Sequence, residues 1–239
     1  MRRCPLPPEA LRAARAPLPP EAAHYLTAVL RLKEGAEFIG FDGQGGERVL
    51  ALARDAEGEL RAAEARGDLT RGRAGAPLTL CYGVPKGDKL DLVARMLTEL
   101  GVGALDLWAA ERSVSVWREG KQDSKLERLE RVADEAARQC GRADALRLSP
   151  PAPLRALLTR HAAAPARLYL DPAAAGGLPE RLEGPCALCV GPEGGLAPSE
   201  LEALREAGWR GVALATPVLR TETAAVVACA LALDRLGWA

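Results

Sequence analysis

Two short stretches concentrate the residue types that chemistry needs. The first is Val190-Gly191-Pro192-Glu193-Gly194-Gly195-Leu196. Three glycines flank one carboxylate directly after an apolar run. Glycine admits positive φ and lets backbone groups approach a ligand closely. A plain strand-to-helix turn rarely needs three glycines, a proline and an apolar leucine together. Neither a G-x-G-x-x-G fingerprint nor a Gly-Lys-Ser/Thr phosphate loop occurs here, so the stretch is not a known dinucleotide or phosphate cradle. The second is Leu214-Ala215-Thr216-Pro217-Val218-Leu219-Arg220-Thr221-Glu222-Thr223-Ala224. Thr221 stands where a helix N-cap belongs. Glu222 and Thr223 fall in the first turn, where an acid suits the helix dipole. Capping does not account for Val218 and Leu219 in a loop beside Arg220.

A third stretch invites a metal or redox reading and does not hold it. Cys186-Ala187-Leu188-Cys189 is the only close pair among six cysteines. It lies in an apolar run read as a buried strand. Residues i and i+3 of a strand face opposite sides, so the two thiols point apart and share no metal. The cysteines are therefore read as small buried hydrophobes.

These stretches need a framework. The chain has 239 residues, 48% hydrophobic and 27% charged, which is ordinary for a folded domain or two. The 32 basic residues balance 32 acidic ones. A surface that attracts nucleic acid everywhere is excluded, while a local phosphate contact is not. No run approaches the ~20 apolar residues that cross a bilayer, and no apolar signal core follows Met1-Arg2-Arg3. No membrane partner and a cytoplasmic location are expected.

Residues 1 to about 75 read as a small β-rich unit. A helix is expected over Glu21–Arg31, with strands at Glu37–Phe41, Arg48–Ala53 and Glu59–Ala65. Turn-like Asp42–Gly46 and Asp55–Gly58 separate the strands, and that spacing suggests a small barrel. Thr70–Pro77 has the composition of a linker. Beyond it, strands alternate with helices. Strands are expected at Leu78–Val84, Ala104–Trp108, Ala166–Leu170, Cys186–Val190 and Val212–Ala215. Leu90, Val93, Leu97 and Leu100 recur at helical spacing over Lys89–Leu100, with Gly101 as the expected C-terminal cap. Ser124-x-x-Glu127 reads as a capping box opening a helix that ends at Gly141. Helices are also expected over Pro198–Ala207 and Thr221–Leu236. Alternation of this kind argues an α/β fold, a mostly parallel sheet with helices on its faces. Ligands then bind beyond the carboxyl ends of the strands, where both glycine-rich and Arg220-bearing loops lie.

Together, GPEGGL and VLRTETA resemble motifs of the SPOUT class of RNA methyltransferases, and within it the RsmE family. His24-Tyr25-Leu26-Thr27-Ala28-Val29-Leu30-Arg31 is similar to that family's H-x-x-x-V-L-R, and Phe41-Asp42-Gly43 to its FDG turn. Lys86-Gly87-Asp88-Lys89 with Glu99-Leu100-Gly101-Val102, then Glu111-Arg112-Ser113, then the E-x-x-x-Q-x-x-R run from Glu135 to Arg142, follow in the family's order. The likeness spans most of the chain. The chain departs from the pattern at Ala215 and Pro217, where the family usually has Gly and Arg, and at Ala197, often a Ser cap.

The resemblance implies a function that spacing alone does not. The family methylates N3 of a 16S ribosomal RNA uridine, uridine 1498 in the decoding region, on the 30S subunit. The fold implied is a PUA-like RNA-binding β-barrel over residues 1–72 and a SPOUT α/β domain over 76–239. A deep trefoil knot is implied at about 186–236, an exception to un-knotted connections. The cofactor implied is S-adenosyl-L-methionine, and the assembly implied is a homodimer. Carried over by position, Leu170, Gly191, Pro192, Gly194, Gly195, Leu214, Val218 and Leu219 bind the cofactor. Arg220 steadies the developing uracil anion or grips a phosphate, Glu193 or Glu222 accepts the N3 proton, and Thr223 bonds a uracil carbonyl. Arg2, Arg3, Arg31 and Lys86 are candidate RNA contacts; His24 is structural or RNA-facing. No metal is implied. Residues 1–80 carry 12 basic and 11 acidic groups, so a shaped target is expected over naked phosphate charge. The alternatives are the same chemistry on another RNA, or an RNA-binding relative without activity. Ala215 strains its turn where the loop requires positive φ.

Overall fold

Between Glu37 and Arg71 the buried residues Phe38, Leu50, Leu52 and Ala62 are interspersed with charged ones, a pattern that suits one half-buried sheet. A computed structural model describes residues 1–72, 75–113, 117 and 122–238, and divides them into two units. The first unit holds the described residues up to 72 together with Ala137–Ala145. Its elements are β1 (Arg3–Pro5), α1 (Pro8–Arg12), β2 (Arg15–Pro17), α2 (Pro20–His24), β3 (Glu37–Phe41), β4 (Gly46–Arg54) and β5 (Leu60–Arg71). The strands form a sheet in the order β1-β3-β4-β5-β2, parallel only between β1 and β3. Phe38, Leu50, Leu52, Leu11 and Leu26 are the largest fully buried side chains of its core.

Two aspartates shape its turns. Asp42 Oδ1 accepts hydrogen bonds from the N–H groups of Gln44 and Gly46, each at 2.8 Å. Asp55 Oδ1 does the same for Glu57 and Glu59. The helix expected over Glu21–Arg31 is regular only to His24. A π-helical turn, Tyr25–Val29, continues it, and Arg31 leaves at φ +54°. The linker expected at Thr70–Pro77 is shorter than its composition implied. β5 runs to Arg71 and the next strand begins at Ala76, while Arg73 and Ala74 lie outside the described residues.

The second unit contains β6 (Ala76–Gly83), α3 (Lys89–Leu100), β7 (Val102–Trp108), α4 (Gln122–Cys140, apart from its end), β8 (Arg147–Ala152) and α5 (Leu154–Arg160). It continues with β9 (Ala166–Leu170), β10 (Cys186–Val190), α6 (Pro198–Glu206), β11 (Arg210–Val212) and α7 (Thr221–Arg235). Its six strands are all parallel, in the order β11-β9-β10-β6-β7-β8. Cys186, Leu188 and Val190 pack on the face covered by α3, α4 and α7. Ala187 and Cys189 pack on the opposite face, with Leu157 of α5 and Leu204 of α6. The cysteine pair is therefore split by the sheet, as strand geometry requires. Burial pushes the Cys186 thiol up to about 12.

Three boundaries differ from the pattern. α4 begins at Gln122, so Ser124 lies inside its first turn and is no cap. β11 ends at Val212, and the strand expected to Ala215 gives way to a bend. The cap of α7 is Arg220, and Thr221 is the first helical residue.

β7 carries one buried acid, Asp106, on the α5 face. His161 Nε2 lies 2.8 Å from its Oδ2, and Arg160 Nη1 lies 3.0 Å away. Burial raises the Asp106 pKa, but hydrogen bonds from His161, Ser149 and Arg160 outweigh it and hold the carboxyl at about 2. Stability from this group is complete above its unfolded value of 3.8 and is lost as pH falls through about 2. The difference is worth about 2 kcal/mol. Asp106→Asn removes that acid dependence and costs about 3 kcal/mol near neutrality, because Arg160 and His161 lose their partner. Urea melts at a series of pH values measure both effects.

Candidate functional site

The carboxyl ends of β9, β10 and β11 and the start of α7 enclose a cavity of about 780 Å³. That size is ordinary for a small-molecule site. Its apolar wall is Leu170, Val190, Leu196, Leu201, Val212 and Leu214. Backbone of two loops supplies the rest. In the first, Gly191 lies so close to Leu196 that a Cβ would sit 3.1 Å from its Cδ2, and Gly195 turns the chain at φ +71°. Pro192 is pressed on the end of β6: a Cβ at Gly83 would stand 2.8 Å from Pro192 Cδ and 2.9 Å from its N. In the second loop Val218 is 85% exposed although apolar, at the rim of the cavity. Ala215 is not strained, since Arg31 is the only non-glycine at positive φ among the described residues.

The two loops are tied together. Thr221 Oγ1 donates to the Gly191 carbonyl at 2.6 Å, so the hydroxyl expected to cap α7 instead locks its start to the glycine-rich loop. Glu193 and Glu222 meet on one ammonium. Lys89 Nζ lies 2.9 Å from Glu193 Oε1 and 3.1 Å from Glu222 Oε2. The Lys86 N–H also donates to Glu193 Oε1 at 3.1 Å. Burial raises the Glu193 pKa, but the Lys89 bond and backbone N–H groups outweigh it and hold the carboxyl below its ordinary value. Glu222 is likewise raised by burial and lowered further by its own N–H and by Lys89. Hydrogen bonds to Glu193 and then Glu222 push the Lys89 pKa up. The arrangement keeps both acids ionised and the lysine protonated.

The structure thus brings Leu170, Gly191, Pro192, Gly195, Leu214, Val218, Leu219, Arg220 and Glu193 to one cavity wall. It does not bring Gly194, which faces Arg112: a Cβ there would lie 2.9 Å from Arg112 Cβ, and Arg112 Nη1 donates to its carbonyl. Glu222 stands behind Lys89, and Thr223 is exposed outside the wall. The Arg220 side chain has no hydrogen-bond or ion-pair partner among the described residues, so it is available to a ligand. Arg2, Arg31 and His24 are exposed on the first unit, and Lys86 on the second. Arg3 is spent otherwise, donating to Glu47 Oε2 at 2.8 Å with its guanidinium over Phe41. Lys89 and Asp171 line the cavity and were not among the expected site residues. Lys89 had a signal, its place in the KGDK run; Asp171 had only its position after a strand.

Residues 73–233 match the family model of an RNA methyltransferase domain, and residues 18–59 that of an RNA methyltransferase PUA domain. The ribosomal RNA small subunit methyltransferase E of Mycobacterium bovis is 34% identical over 216 residues, covering 85% of this chain and 80% of that one. The chain belongs to the ribosomal RNA small subunit methyltransferase E family. The Synechocystis protein of that name is 31% identical, over 93% of this chain and 74% of its own length. A crystal structure of the Neisseria gonorrhoeae enzyme bound to S-adenosyl methionine superposes with a TM-score of 0.82 at 26% identity, covering 99% of this chain and 98% of that one. The α/β fold with a PUA-like amino-terminal domain, expected from the motifs, is the fold of this family.

The half capping box on α6 shows how the chain manages a departure from the family pattern. Ala197 has no hydroxyl to cap the helix. Glu200 Oε2 accepts from the Ala197 N–H at 2.7 Å, and its Oε1 from the Glu111 N–H at 2.7 Å. One buried carboxylate thereby fixes the helix start and the ERS segment behind the glycine-rich loop.

Proposed function

We propose that the chain transfers a methyl group from S-adenosyl-L-methionine to N3 of a 16S ribosomal RNA uracil, uridine 1498, within the 30S subunit. The cavity carries this reading. Its apolar wall suits adenine, its loop backbones offer peptide donors and acceptors, and Asp171 and Thr216 are polar groups suited to ribose hydroxyls. The carboxylates of Asp171 and Glu193 suit a cationic sulfonium. The donor set therefore fits the cofactor, which supplies a methyl carbon whose bond to sulfur breaks with the electron pair left on sulfur.

The protein's part is to align N3 with that carbon and exclude water. Leu170, Gly191, Pro192, Gly195, Leu214, Val218 and Leu219 hold the cofactor, with Gly194 acting through Arg112. The N3 proton must leave as the new bond forms. A carboxylate held below its ordinary pKa is a weak base, so proton transfer to Glu193 or Glu222 needs the uracil anion stabilised in the same step. Arg220, unpartnered at the rim, supplies that charge. Thr223, outside the wall, is assigned to a uracil carbonyl of RNA arriving from solvent.

The unit over residues 1–72 is proposed to hold RNA, with Arg2, Arg31 and, from the domain over 76–239, Lys86 as contacts; Arg3, paired with Glu47, is left out of that set. A homodimer is proposed, supported by Leu92 and Met96 of α3 and Leu231 of α7, exposed apolar residues on two helices that pack together. The knot proposed over about 186–236 is supported by hydrogen bonds of the β9–β10 connection to the start of the second loop and to the far end of α7: the Ala213 N–H donates to the Gly176 carbonyl and the Leu182 N–H to the Arg235 carbonyl. No described helix is long and apolar enough to cross a membrane; the proposed work site is the cytoplasm, with the 30S particle.

Calorimetry with S-adenosyl-L-homocysteine, the demethylated product, tests the cofactor assignment. Saturable heat at one site per chain is expected. A folded protein giving no heat contradicts the assignment.

A further inference from the structure

We propose that Lys89 is a positioning residue for the transfer: by bridging Glu193 and Glu222 it lets two adjacent carboxylates stay ionised together, so that one is open to the N3 proton. The inference rests on the reading of the site given above. Its ground is the convergence of three segments distant in the chain on one point at the cavity wall. The carboxylates come from the loop after β10 and from the first turn of α7, and the ammonium from the first residue of α3. Nothing in the helix requires this. A lysine at the first position of α3 opposes the helix dipole, so its placement is better explained by the two acids than by the helix.

Two carboxylates sharing a site do not both ionise easily, because each raises the other. A cation between them removes that penalty. The other charged and titratable groups facing the trio are few. Tyr82 of β6 has its hydroxyl buried beside Thr221, Glu222 and Glu193, and burial pushes its pKa up, so it stays neutral. Arg220 lies at the start of α7 and also lowers Glu222. Lys86 offers Glu193 its backbone N–H while its own side chain is exposed. Asp171 lines the same cavity and adds negative charge. With Lys89 gone, the cation that still acts on Glu222 is Arg220, which the mechanism needs for substrate. One carboxylate then takes a solvent proton as pH falls and no longer accepts the proton from N3. The step itself is unchanged: N3 loses its proton to a carboxylate oxygen, N3 bonds the methyl carbon, and the carbon–sulfur bond breaks.

The test compares wild type, Lys89→Met and Lys89→Arg. Carbon-13 NMR titration of labelled glutamate side chains, assigned with Glu193→Gln and Glu222→Gln, reads the carboxyls without cofactor. Single-turnover methyl transfer to 30S subunits reads the pH profile. In Lys89→Met one of the two carboxyls is expected to titrate roughly one unit higher or more. The acid limb of transfer moves up with it, a loss of about tenfold on that limb per unit. Lys89→Arg restores both, since it keeps the charge. Titration and pH profile unchanged in Lys89→Met overturn the inference. A loss of transfer equal at every pH, with unmoved carboxyls, overturns it too. If wild type transfers no methyl, the proposed function fails, and the NMR titration still decides whether Lys89 governs the pair.

Discussion

Arg220→Ala is expected to lower methyl transfer about 100- to 1000-fold and to leave affinity for S-adenosyl-L-homocysteine where it was. Arg220 stands at the cavity rim as the cap residue of α7, and its side chain has no hydrogen-bond or ion-pair partner among the described residues. Its backbone is held independently of its side chain: the Arg220 carbonyl accepts the Ala224 N–H at 2.8 Å, and Thr221 ties the next residue to Gly191. Removing the side chain therefore leaves the loop in place. In the proposed mechanism the loss is a positive charge that steadies the developing anion, and a single preorganised donor of that kind is worth about 100- to 1000-fold in turnover. Parallel calorimetry and single-turnover transfer separate the two properties. Near-normal turnover removes Arg220 from the mechanism; lost cofactor affinity reassigns it to the cofactor.

The second large effect comes from a residue that touches no ligand. Gly83 ends β6, and a methyl group there collides with the ring and nitrogen of Pro192. Neither atom belongs to a flexible side-chain end, so the glycine-rich loop must move. A displacement near 1 Å at a reacting centre costs about 100-fold in rate. Overpacking itself costs about 1–3 kcal/mol of stability. Gly83→Ala is thus expected to remain folded in thermal melts while losing transfer about 100-fold and weakening product binding. Unchanged binding and transfer would show that Pro192 does not set the position of the loop.

Much of the framework was legible because it follows from periodicity. The apolar spacing over Lys89–Leu100 and the left-handed Gly101 give α3 its bounds. The alternation of Cys186 to Val190 across the sheet gives β10 and removes any shared metal from its cysteines. The elements that pattern missed are short or carry proline. β1, α1 and β2 lie among Pro5, Pro7, Pro8 and Pro17, and each spans at most five residues. β8 contains Pro150 and Pro151, which argue against a strand; it forms because it is the edge of its sheet, where proline is tolerated.

The site divides in the same way. Backbone-rich loops announce themselves by glycine and proline, and both loops singled out on that ground line the cavity. Charge relations do not announce themselves. Lys89, Glu193 and Glu222 are separated by more than a hundred residues between the first and the others, and no local spacing records their meeting. Thr221 looked like a cap because its type and place fit one, yet its hydroxyl serves the Gly191 carbonyl. Arg3 looked available for RNA because sequence does not show Glu47 beside it.

Methyl transfer to one uracil nitrogen in an assembled particle is read by offering radiolabelled S-adenosyl-L-methionine with 30S subunits from cells lacking the corresponding enzyme. Naked 16S ribosomal RNA and transfer RNA run in parallel, and the labelled base is mapped. Label is expected on uridine N3 in 30S subunits, with little on naked RNA. Label on transfer RNA, on another atom of the base, or nowhere with a folded protein would contradict it.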